Sequence, residues 1–211
     1  MIRLFDYIFS SKIQYYYPLK TNILVYDISN YQYFKKFLKG KNYQILYTRK
    51  EILNLPILIL TLLKHGFKNL NSKYKFEYIK YVNPKFIITM TDNDMDFLSY
   101  KFDNIKKIAI QNAYRRTAFP DIFSGIKYSY TNTFNLDYIF CFNKSIAKIY
   151  EKFFRCKTIV IGSLKNNNFK KKLKKKFLFG YISPYRRNAS ENKSENKIVF
   201  PYDEFKKNFN I

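Results

Sequence analysis

Short runs of consecutive apolar residues alternate along the chain with stretches in which apolar positions recur every three or four residues. The runs at 22–27 (NILVYD), 44–47 (QILY), 85–90 (KFIITM), 107–110 (KIAI), 137–142 (DYIFCF) and 158–161 (TIVI) show no polar alternation. Such runs predict strands covered on both faces, the pattern of a parallel sheet. Between them, residues 31–38, 55–64, 74–82, 95–102 and 144–154 predict helices. In the last of these, Ile146, Ile149, Tyr150 and Phe153 share one face. Pro56 is tolerated in a first turn, and Asn83-Pro84 stops the helix before it.

Strands alternating with helices imply βαβ units and an α/β, doubly wound parallel (Rossmann-like) sheet with helices on both faces. Residues 1–164 read as one such domain. Residues 165–176 (KNNNFKKKLKKK) form a basic linker, a solvated connection or a contact for phosphate or a membrane surface. Residues 177–211 open with a strand-like FLFGYI, pass a polar loop at 187–197 and start another element at 198. They are too few to enclose a core, so they are expected to be an incomplete second domain or a small appendage.

Charge widens the choice of partner. The 211 residues carry 39 Lys+Arg against 15 Asp+Glu, a formal charge of +24. That field favours nucleic acid, anionic lipid, pyrophosphates or nucleotide sugars. The same chain is rich in Lys, Asn, Ile, Tyr and Phe, lacks Trp and has five Gly. An AT-rich coding sequence imposes that composition on ordinary enzymes, so charge alone does not select a function. Cys141 and Cys156 lack paired spacing, which suits a reducing compartment. The opening MIRLFDYIFSSK is a poor signal peptide, and the apolar run at 53–63 reaches about half the ~20 residues of a spanning helix. A cytoplasmic location is expected, with peripheral contact at the inner face of the plasma membrane left open.

Ligands of open parallel sheets bind outside the carboxyl ends of the strands, so the residues directly after each strand matter most. The third strand is followed by Asp92, Asn93, Asp94 and Asp96. These could supply a general base, hold a divalent cation through oxygen ligands, or cap the next helix through Asp92 or Asn93. An EF-hand is excluded, because Phe97 stands where that loop needs Gly. The fourth strand is followed by Gln111, Asn112, Arg115 and Arg116, which suit a sugar or phosphate or form a solvated basic turn. After the sixth come Gly162, Ser163 and Asn166, a turn able to offer N–H groups to an anion or merely a turn. His65 is the one histidine and is placed at a helix C-terminus. No zinc set, catalytic triad, Walker A or G-x-G-x-x-G motif is present.

The ordered segments NPKFIITMTDNDMDFLSYKF, IKKIAIQNAYRR, DYIFCFNKSIAKIYEKF and KTIVIGSLKNNN, followed by FLFGYISPYRR and PYDEFKK, resemble a family of bacterial surface-carbohydrate biosynthesis transferases. The resemblance runs from about residue 22 to the end. It implies the GT-B architecture: an N-terminal Rossmann-like domain for the acceptor, a C-terminal one for an activated sugar donor, and no metal or other cofactor. It assigns Asp92 as general base toward an acceptor hydroxyl. Asn93, Asp94, Gln111, Asn112, Arg115 and Arg116 would orient acceptor groups, and Gly162, Ser163 and Asn166 would line the cleft. Ala113 departs from the family's Gly, and a donor half would need on the order of 150 more residues. The implied partners are a glycan or lipid-linked acceptor and a separate donor-binding chain. Two other readings compete: a metal-dependent GT-A-like transferase using Asp92-Asn93-Asp94 as a metal-binding acidic motif, and a non-enzymatic basic module for nucleic acid or anionic membrane. Nucleic acid has the weaker support, since no RNP, KH or helix-turn-helix signature is present.

Overall fold

The computed structural model describes residues 11–49, 51–113 and 134–167. The chain divides into two compact units, Met1–Lys170 and Lys171–Ile211. All described residues belong to the first, so the expectations for residues 177–211, and for most of 165–176, lie outside the described residues.

The elements run β1 (Lys12–Gln14), β2 (Ile23–Tyr26), two 3₁₀ turns (Tyr31–Tyr33 and Lys35–Leu38), β3 (Tyr43–Leu46), β4 (Ile52–Asn54), α1 (Leu55–His65), α2 (Leu70–Val82) and β5 (Phe86–Thr89). They continue with α3 (Met95–Ser99), β6 (Lys106–Ile110), β7 (Tyr138–Cys141), α4 (Lys144–Phe153), β8 (Lys157–Val160) and α5 (Leu164–Asn167). Six strands form one parallel sheet in the order β3-β2-β5-β6-β7-β8, and β1 pairs with β4 in a separate parallel ribbon. The fold is the expected Rossmann-like α/β sheet.

The apolar runs are explained by the pleat. Leu24, Tyr26, Leu46, Ile87, Ala109, Ile139 and Cys141 face one buried layer, and Val25, Ile88, Ile110 and Phe140 the other. The step from β2 to β3 runs opposite to every later step across the sheet. Right-handed crossovers therefore send residues 31–38 to one face and α1 through α4 to the other. Phe34 and Leu38 indeed pack with Val25, Met90 and Ile110, while Ile57, Tyr78, Phe97 and Tyr150 join the opposite layer.

Residues 31–38 form two 3₁₀ turns rather than an α-helix. Asn30 enters in the left-handed region without a side-chain cap, and Phe34 breaks the run at φ −121°. The β1–β4 ribbon is a departure too, because three-residue strands leave no periodic signal. Asn54, closing β4, caps α1 by accepting from Ile57 N at 3.1 Å while its Nδ2 donates to Tyr16 O at 2.7 Å. At the far end of α1, Gly66 takes the positive φ of a C-cap, and Lys64 and His65 both lie 2.9 Å from buried Glu77. Burial pushes the Glu77 carboxyl up, but hydrogen bonds from His65 and Lys64 outweigh it and hold the group below its ordinary value.

Helix α3 stops at Ser99, short of the expected 102. Lys107 takes over the carbonyls at its end, with Nζ donating to Leu98 O at 3.2 Å and Tyr100 O at 2.7 Å. The ammonium also lies 4.9 Å from the centre of the Phe97 ring. Burial pulls its pKa down to about 7, against the opposing pull of Asp137.

Candidate functional site

The strand order reverses direction between β2 and β5, which places the topological switch point at their carboxyl ends. Asp27 follows β2 there, buried to 1% exposure with φ 72°, a left-handed conformation that Asp tolerates better than most residues. Its Oδ1 accepts from Ser29 N at 2.9 Å, and its Oδ2 accepts from Thr91 Oγ1 at 2.9 Å and Arg49 Nε at 3.2 Å. Arg49 Nη2 reaches the same oxygen at 3.1 Å, while the arginine side chain stays 59% exposed. A buried carboxylate thus fixes one edge of a guanidinium and leaves its other N–H groups to solvent.

The polar belt continues along the rim. Asp92, 1% exposed, accepts from Asn112 N at 3.4 Å and from Tyr150 Oη at 2.5 Å. Gln111 is fully buried; its Oε1 accepts from Phe142 N and its Nε2 donates to Ala113 O, both at 2.9 Å. Hydrogen bonds so join the carboxyl ends of β2, β5, β6 and β7 with Arg49, three residues past β3. The Asn112 Oδ1 atom is buried on this rim without a hydrogen-bond partner. Beyond β8, Gly162 has φ 73° and Ser163 Oγ accepts from Asn166 N at 3.4 Å in the first turn of α5. This corner shares the rim, and Ile161 and Leu164 pack on the layer that holds Val25 and Met90.

The acidic run does not act as one cluster. Asp92 points to Tyr150 and Asn112, whereas Asp94 caps α3 through Phe97 N at 2.9 Å. The helix cap is therefore Asp94, not Asp92 or Asn93. Asp94 and Asp96 share Lys75, at 3.6 and 2.8 Å. Among the described residues no group of three His, Cys, Asp or Glu converges as metal ligands would. Asn93 is exposed beside this cap. Burial raises the Tyr26 hydroxyl well above its ordinary value, with Asp94 adding to the effect. Burial also pushes the Cys141 thiol up to about 12, with Asp92 reinforcing it, which removes that thiol as a nucleophile. Arg115 and Arg116 lie outside the described residues.

Asp27 was legible under the same strand-end rule, because it closes the first apolar run. The same rule reaches Arg49, two residues past the run at 44–47, though nothing local pairs it with Asp27; Tyr150 was not legible, since it sits at an apolar position of an amphipathic helix. A separate open polar hollow of about 190 Å³ is lined by Lys20, Thr21, Asn22, Asn42, Val82 and Asn83. Those residues lie at the amino ends of the central strands, across the sheet from the belt.

Residues 108–211 match a family model described as "putative O-antigen biosynthesis protein". The match begins inside β6 and takes in Gln111, Asn112, Gly162, Ser163 and Asn166. Asp27, Arg49 and Asp92 precede it. No curated protein and no solved structure gives a significant match to the chain. Among the described residues no helix is long and apolar enough to cross a membrane.

Proposed function

We propose that the chain works in the biosynthesis of O-antigen, a bacterial surface polysaccharide, as the acceptor-side domain of a GT-B-type glycosyltransferase. The observation that carries this reading is the family match over residues 108–211, which includes two of the rim's corners. The belt at the switch point supports it, because polar groups anchored along a strand rim suit a hydroxyl-rich, anionic substrate.

On this reading Arg49, oriented by Asp27, takes a phosphate of a lipid-linked or sugar-phosphate acceptor. Asp92 accepts the proton of the attacking acceptor hydroxyl. Tyr150 fixes Oδ2, and the acceptor replaces the long 3.4 Å contact from Asn112 N to Oδ1. Gln111, Asn112, Ser163 and Asn166 frame the acceptor. The sugar comes from an activated donor held by a second domain or chain, with no metal or other cofactor, at the cytoplasmic side of the membrane.

The test follows acceptor binding to the purified chain by calorimetry with lipid-linked saccharides, and transfer by mass once a donor-binding chain and nucleotide sugars are added. Asp92→Asn is expected to lower transfer about 10²–10⁴-fold while acceptor binding persists. Arg49→Ala is expected to weaken acceptor binding. An acceptor panel that fails to bind up to millimolar concentration, with no transfer, sinks the reading.

A further inference from the structure

We propose that the outer face of α1 docks the protein onto an anionic lipid bilayer. The sequence of α1, LPILILTLLKH, is apolar nearly all the way round, as expected of a helix enclosed on every side. Only one face is enclosed: Ile57, Leu58 and Thr61 are buried against the sheet and α2. The opposite face carries Ile59 and Leu63, four residues apart and exposed to 48% and 81%, and Phe67, past the Gly66 cap, is exposed to 71%. Ile59 and Leu63 lie one helical turn apart, so these exposed apolar side chains are aligned rather than scattered.

Charge identifies what covers the stripe. Between Glu51 and Glu77 there is no acidic residue. Lys64 borders Leu63 and stays 45% exposed although it reaches Glu77, and Lys68 and Lys73 are exposed beyond Phe67. A second copy laid on this face would bring like-charged lysine borders together. An anionic bilayer instead offers an apolar interior to the stripe and negative headgroups to its border. Exposed Tyr15 and Tyr16 lie beside the start of the same helix, tied there by the bond from Asn54 Nδ2 to Tyr16 O, and tyrosine favours the membrane–water boundary. This surface is separate from the carboxyl-rim belt, and the inference does not depend on the transferase reading.

The experiment is flotation of the full chain with phosphatidylcholine vesicles and with vesicles that also contain phosphatidylglycerol. The wild type is expected on the anionic vesicles and to be released by high salt. The double variant Leu63→Ser/Phe67→Ser keeps every charge, so a loss of about tenfold or more in its partitioning, at an unchanged thermal midpoint, reports the apolar contact. Lys68→Glu/Lys73→Glu is expected to lose about as much through the border. The proposal is overturned if Leu63→Ser/Phe67→Ser floats like the wild type, if neutral vesicles capture the wild type equally well, or if light scattering finds a dimer that this variant dissociates.

Discussion

Tyr150 Oη lies 2.5 Å from Asp92 Oδ2, so the helix after β7 is bonded to the loop after β5 across the top of β6. Both side chains are buried.

Removing that hydroxyl takes one hydrogen bond from a buried carboxylate. Tyr150→Phe is expected to cost about 1–3 kcal/mol, measured by urea unfolding. A double-mutant cycle with Asp92→Asn should show coupling beyond the error of its arms. Additive effects would mean that the two residues do not hold the rim together.

Lys107 sets a pH dependence. Its pKa is lower in the folded protein, about 7, than the ordinary 10.5, so the unfolded chain binds more protons between those values. Stability attributable to this residue therefore rises with pH from about 7 toward 10.5, by at most about 1.4 kcal/mol per pH unit. Lys107→Met should abolish that rise, and the difference between the two unfolding profiles checks it. Parallel profiles would refute the buried-amine assignment.

Glu77 acts at the other end of the scale. Its pKa is lowered on folding, so its contribution is present above the ordinary carboxylate value and fades as pH falls through the folded value. Glu77→Gln should flatten the acid limb of the stability curve relative to wild type. An unchanged acid limb would show that Lys64 and His65 add nothing to the pair.

Asn54 carries two tasks with one amide, capping α1 and holding the Tyr16 carbonyl. Asn54→Ala is expected to cost about 1–2 kcal/mol, near the upper end for a lost cap. Asn54→Asp keeps the cap but not the donor, so by thermal melting it should fall between the two.

The sheet was legible because six strands covered on both faces leave uninterrupted apolar runs such as NILVYD and KFIITM. The corners at Asp92 and Gln111 were legible by the same logic, since the residues that leave a buried strand must emerge on its rim. Local patterning could not report pairings made through space. Nothing near Arg49 announces that it meets Asp27, and Lys107 reads as the solvated start of a strand although its ammonium caps a helix. The turns at 31–38 failed for a further reason: apolar spacing there suits a helix, but no side chain caps its first turn.

The placement of β2 also governs how the molecule comes together. Its two neighbours are β3 and β5, and on the β5 side Ile23 meets Phe86, about sixty residues further along the chain. During synthesis NILVYD emerges early with one flank open, and that flank stays unpaired until both intervening helices and KFIITM have left the ribosome. For that interval an apolar strand edge is available for association with other chains, which makes this stage the one most exposed to aggregation and most in need of a chaperone.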